Sequence, residues 1–159
     1  NALKELEQFK GYKFATERSQ HLMSLGIPLN TDSTLKGQTV FLAERCGELM
    51  YDDIITDRTI LDVMAFTLNA KSIPHQDKDA FEVYASEFIR EYDYIFYISP
   101  HGIEIEDNGI RETDEHYRDL IDFTITTLIK RHGHKAGKIE KISGSTEERI
   151  QQILNITSL

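Results

Sequence analysis

The sequence predicts an α/β protein with a mostly parallel sheet and helices on both faces. Three observations carry that expectation. Four short runs read as strands: Tyr12 to Thr16, Asp53 to Thr56, Tyr94 to Ile98 and Lys138 to Ile142. Stretches with apolar residues at helical spacing separate them, and strands alternating with helices imply βαβ units. The length of 159 residues suits one domain and one core.

From the N-terminus, Leu3, Leu6 and Phe9 share one face and read as the last turns of a helix closed by Gly11. Tyr12 to Thr16 follows as a short strand. Ser19 to Leu25 is helical and stops at Gly26 and Pro28. Asp32 or Ser33 is placed to cap a long helix reaching about Met50. Asp53-Ile54-Ile55-Thr56 is a short apolar run ending at Asp57, the pattern of a buried parallel strand. Ile60 to Leu68 is apolar at helical spacing, Pro74 punctuates, and Lys78 to Glu91 is a further amphipathic helix. Tyr94 to Ile98, aromatic and β-branched throughout, is the strongest strand. A polar loop with Pro100, Gly102 and Gly109 leads to a helix over Asp114 to Lys130. A turn at Arg131 to Gly137 precedes the strand Lys138 to Ile142. Ser145, with Glu148 three residues on, forms a capping box for the last helix.

Composition narrows the function classes. Hydrophobic residues are 40% and charged residues 28%, ordinary for a soluble globular chain. No apolar run approaches the ~20 residues of a membrane span. No basic segment followed by an apolar one marks a signal peptide. The chain starts at Asn1 rather than Met, and further residues are expected upstream. The net charge is −9, which argues against sequence-independent binding to nucleic-acid backbones. It leaves room for a small phosphorylated ligand, which needs only a few placed cations and backbone N–H groups. The single cysteine, Cys46, permits no intrachain disulfide. It reads as a small buried hydrophobe in a reducing, cytoplasmic setting.

In open parallel sheets, ligands bind beyond the carboxyl ends of the strands. Polar groups stand at each of those ends: Glu17-Arg18, Asp57-Arg58, Ser99-Pro100-His101 and Ser143-Gly144-Ser145. Asp57 ends a buried strand and can hold Mg²⁺, with Arg58 reaching a phosphate oxygen; equally, Asp57 can be the N-cap of the helix that follows. Glu17 can act as a base or orient a hydroxyl, or favour a helix start through the macrodipole. Arg111, in the loop Asp107-Asn108-Gly109-Ile110-Arg111, and Arg118 can fold over phosphates; the alternative is a solvated surface loop. His132 and His134 flank a glycine without a cluster to complete a metal site, and read as solvated turn residues.

Asp53 to Phe66, with Asp57, Arg58 and Asp62, is similar to the strand–Asp-Arg–x-x-x-Asp segment of an AAA-type P-loop family of phages and bacteria. That family stands close to nucleoside and nucleotide kinases, with ribosylnicotinamide-kinase-like and thymidylate-kinase-like relatives. Glu17-Arg18, the strand after Tyr92, the Asp107 to Arg111 loop and the Lys138 to Ile150 segment resemble its later features in the same order. The resemblance implies a single three-layer α/β/α P-loop NTPase domain over residues 1–159. It implies ATP and Mg²⁺ as cofactors and phosphoryl transfer to a nucleoside, nucleotide or similar acceptor. In that reading Asp57 organises Mg²⁺ and Glu17 orients the acceptor hydroxyl. Arg58, Arg111 and Arg118 stabilise phosphate charge, and Gly144 and Ser145 border the base.

The chain departs from the family in lacking Gly-x-x-x-x-Gly-Lys-[Ser/Thr]. The family's strand before that loop lies centrally, between the strands ending at Asp57 and Ser99. The resemblance therefore implies an N-terminally incomplete domain; the alternative is a rebuilt sheet. Two rivals to an enzyme stand beside it: a nucleotide-binding sensor without turnover, and an interaction domain that keeps only the fold.

Overall fold

A computed structural model describes residues 2–15, 19–101 and 114–159. The N-terminal residues form two short 3-10 turns, Ala2–Glu5 and Glu7–Phe9, rather than the expected α-helical turns. Only Phe9 of this segment is buried, and its ring meets Tyr12 edge-on at 5.4 Å.

Strand β1 (Lys13–Ala15) pairs in parallel with β2 (Ile54–Thr56), Phe14 opposite Ile55. The ladder continues at both ends through Lys13 N–H to the Asp53 carbonyl and Asp57 N–H to the Ala15 carbonyl, each 2.8 Å. Helix α1 (Ser19–Ser24) follows β1 and buries Leu22. The cap of α2 (Leu35–Glu48) is Thr34, whose hydroxyl accepts from Gly37 N–H at 3.1 Å. The expected caps lie just before it: Asn30–Asp32 is spent on a 3-10 turn and Ser33 follows that turn.

Helix α3 (Ile60–Asn69) is the centre of the core. Ile60, Leu61, Val63, Met64 and Ala65 are all buried, and the helix packs against α2, α4 (His75–Ser86) and α5 (Glu115–His132). The expected single helix through Glu91 divides: α4 gives way to a 3-10 stretch, Glu87–Glu91. Strand β3 (Tyr94–Ile98) pairs in parallel with β4 (Lys138–Ile142) over five positions, Tyr94 with Lys138 through Ile98 with Ile142. Helix α6 (Thr146–Thr157) starts at the capping box read from the sequence, Ser145 with Glu148. It buries no residue fully, and packs on β4 and the first 3-10 turn.

The fold is thus α/β with parallel pairing throughout the described strands, but the sheet comes in two halves, β1-β2 and β3-β4. This corrects one expectation about β2. All three of its residues are half-buried rather than buried: among the described strands β2 pairs only with β1, and its residues line a cavity.

Candidate functional site

The turn after β2 is fixed by three anchors. Arg45, 3% exposed on α2, donates from Nη1 to the Asp57 carbonyl at 3.1 Å and to Glu48 Oε2 at 2.8 Å. Thr59 caps α3: its hydroxyl accepts from Leu61 N–H, while its own N–H donates to Asp62 Oδ2 at 2.7 Å. The Tyr92 hydroxyl accepts from Ile60 N–H at 3.2 Å, so a phenol takes one of the N–H groups that a helix start leaves without an intrahelical partner. Burial pushes the Tyr92 phenol far above its ordinary range.

These anchors exclude the N-cap reading of Asp57. The cap of α3 is Thr59, so the Asp57 carboxylate is not consumed there and stands exposed at the strand end. Arg58 sits between them with φ of 74°. A left-handed backbone costs a residue with a Cβ about 1–2 kcal/mol, and such strain gathers at functional sites. Its guanidinium lies over the Phe66 ring, 5.6 Å from the centroid.

A cavity of about 1370 Å³ borders this turn. Asp57, Arg58 and Thr59 line it from β2 and its turn, Arg118 and Asp122 from α5, and Tyr97 from β3. Three of the residues singled out from sequence, Asp57, Arg58 and Arg118, therefore share one cavity. Gly144 and Ser145 do not line it. Gly144 has φ of 94°, a Cβ there would meet the Glu148 carboxylate, and Ser145 is the cap of α6. Glu17, Arg18 and Arg111 lie outside the described residues.

Comparison with protein-family models, with curated proteins and with solved structures finds no match to this chain. The site rests on its own geometry.

Sequence reasoning missed the pair across the cavity wall. The Tyr97 hydroxyl hydrogen-bonds the Asp122 carboxylate, and His101 Nε2 stands 3.7 Å from the other Asp122 oxygen. Burial first, then the Asp122 carboxylate, pushes the Tyr97 phenol up to about 12, so it acts as a hydrogen-bond donor at neutral pH. No local spacing signals this pair, which joins residues 25 apart.

Two other expectations are corrected. His132 is not a solvated turn residue: it ends α5, and its Nε2 lies 2.7 Å from Glu82 Oε1, with the Arg131 guanidinium on the same oxygen. Glu82 is 8% exposed. Burial alone would raise its pKa, but the hydrogen bonds from His132 and Arg131 outweigh burial and hold the carboxyl below its ordinary value. Cys46 is half-buried rather than buried, and burial, with Glu91 nearby, pushes its thiol up, the opposite of an activated nucleophile.

Proposed function

We propose that the protein binds a nucleoside triphosphate with Mg²⁺ in the cavity that Asp57, Arg58 and Arg118 line. In this reading it transfers the terminal phosphate to a nucleoside, nucleotide or similar small acceptor. The observation that carries the proposal is that an exposed strand-end carboxylate and two guanidinium-bearing residues line the same cavity. The donor set fits the metal. Mg²⁺ binds through one or two carboxylates and takes its other ligands from water and phosphate. A single Asp57 meets that requirement; among the described residues no group of three or more His, Cys, Asp or Glu side chains is placed to hold a metal by itself.

The chemistry asked of the chain is then positioning and charge. Arginines bind phosphate oxygens in bidentate fashion. Arg58 starts from a constrained backbone, and Arg118 from the first turn of α5. In the three-layer P-loop NTPase fold that this reading entails, Glu17 orients the acceptor hydroxyl and Arg111 joins Arg118 over the phosphates. No helix among the described residues is long and apolar enough to cross a membrane, and the overall charge of −9 disfavours nucleic acid as the partner.

The second reading, binding without turnover, draws on the absence of a Gly-x-x-x-x-Gly-Lys motif from these 159 residues. Calorimetry with ATP–Mg²⁺ tests the shared part. Wild type is expected to bind, and Asp57→Ala to weaken Mg²⁺-dependent binding at least tenfold. Equal affinity in the variant, or none in wild type, refutes the assignment. A screen of nucleoside and nucleotide acceptors then separates a kinase from a sensor.

A further inference from the structure

We propose that the outer face of α5 is a self-association surface, on which two copies of this chain pair their α5 helices antiparallel about a two-fold axis. The helix has apolar residues on two sides. Tyr117, Ile121 and Leu128 are buried in the core. On the opposite side Phe123 is 69% and Leu120 40% exposed, where a helix packed on a core normally presents polar residues. Aromatic side chains are enriched at the centres of protein interfaces and charged ones are depleted there.

Charge selects the occupant. Asp119, Phe123, Thr126 and Lys130 follow one another at spacings of four, three and four residues, which places them in one stripe along the helix. The stripe is acidic at its start, aromatic in its middle and basic at its end. Asp119 and Lys130 are both exposed, and neither has an ion-pair partner among the described residues. A stripe in that order is complementary to its own reverse. With the two-fold axis passing between Phe123 and Thr126, Asp119 of each copy faces Lys130 of the other, and each Phe123 ring lies against Thr126. The flanks agree: Glu115, at the start of α5, faces His134, just past its end, and both are exposed. Such reciprocal contacts, in which one residue meets a second while the second meets the first, define the commonest symmetry of homo-oligomers. A parallel pair would set Asp119 beside Asp119 and Lys130 beside Lys130, which like-charge repulsion disfavours.

Size sets the strength. The 18 residues of α5, at ~1.5 Å each and ~10 Å across, offer a strip of about 270 Å² per copy. That is well short of the ~800 Å² per partner of a stable interface, so the dimer belongs to the weak, concentration-dependent class. The net charge of −9 acts in the same direction, because copies of like charge repel. Arg118 and Asp122, the α5 residues of the nucleotide reading, lie off this stripe and line the cavity, so either proposal can fail without the other.

The test is sedimentation equilibrium of the full chain at ~0.15 M salt, where long-range repulsion is largely screened. The expected result is a reversible monomer–dimer equilibrium with half-association between ~10 μM and ~1 mM. Phe123→Ser, at a position exposed enough to preserve folding, is expected to weaken the dimer roughly fivefold or more. Asp119→Lys is expected to weaken it by a similar factor, and Asp119→Lys combined with Lys130→Asp to restore it to within about threefold of wild type. The two positions lie about 16 Å apart along one helix, so restoration reports contact between copies and not within one. Circular dichroism confirms that each variant is folded. Four results overturn the proposal: a monomer up to ~1 mM, an assembly larger than a dimer, a dimer indifferent to Phe123→Ser or Asp119→Lys, or a double variant no stronger than Asp119→Lys alone.

Discussion

Tyr92→Phe isolates one hydrogen bond at the base of the candidate site. The substitution keeps the ring and removes the oxygen that accepts from Ile60 N–H at 3.2 Å. Tyr92 is 7% and Ile60 0% exposed, so water does not readily replace the lost acceptor. A hydrogen bond between uncharged groups contributes about 1 kcal/mol, and a buried donor left without its partner costs about 1–3 kcal/mol. The expected loss is therefore about 1–3 kcal/mol, or roughly 2–4 °C in Tm per kcal/mol for a chain of this size. Urea unfolding followed by circular dichroism measures it, with the m-value unchanged. The Asp57–Arg58 turn immediately precedes the affected helix start, so ATP–Mg²⁺ affinity is expected to fall alongside. A change below about 0.3 kcal/mol, within ordinary surface-mutation scatter, refutes the claim that the phenol anchors α3.

Glu82→Gln removes the charge that His132 and Arg131 share; the expected cost is about 1–3 kcal/mol near pH 7, discounted because Arg131 is half exposed. Because the folded carboxyl titrates below its unfolded value, its stabilisation is full above the ordinary Glu pKa of ~4.3 and is lost as pH falls through the folded value. The gap between wild type and variant, read by urea titrations at several pH values, must therefore close in acid; a gap that stays constant from pH 7 to pH 3 excludes the pairing. Arg58→Gly is expected to be more stable than Arg58→Ala by about 1 kcal/mol, since only the alanine pays for a left-handed backbone. Both variants are expected to weaken ATP–Mg²⁺ at least tenfold in calorimetry, and an alanine variant as stable as the glycine one contradicts the positive φ.

Local signals were legible wherever a few neighbouring residues carried the whole instruction. The Ser145 and Glu148 spacing located the start of α6, and the aromatic and β-branched run from Tyr94 located β3. Asp57 was legible as a strand end, but the helix cap fell two residues later, where Thr59 and Asp62 reproduce the same reciprocal box. The pairing of His132 with Glu82 joins residues 50 apart, and that of Tyr92 with Ile60 spans 32. Neither leaves a periodic trace, because such contacts depend on how α3, α4 and α5 pack. The division of the sheet was illegible in Ile54-Ile55-Thr56 for a related reason: an apolar run reads the same whether its far edge meets a strand or a cavity.

The C-terminal helix has a consequence for access. Ile153 and Thr157 of α6 form part of the cavity wall, yet no residue of that helix is fully buried. Segments with few buried apolar contacts detach at a small fraction of the free energy of global unfolding. The part of the cavity wall that α6 supplies is therefore expected to open at a lower free-energy cost than the packed core around α3, so amide hydrogen exchange is expected to be faster in α6 than in α3.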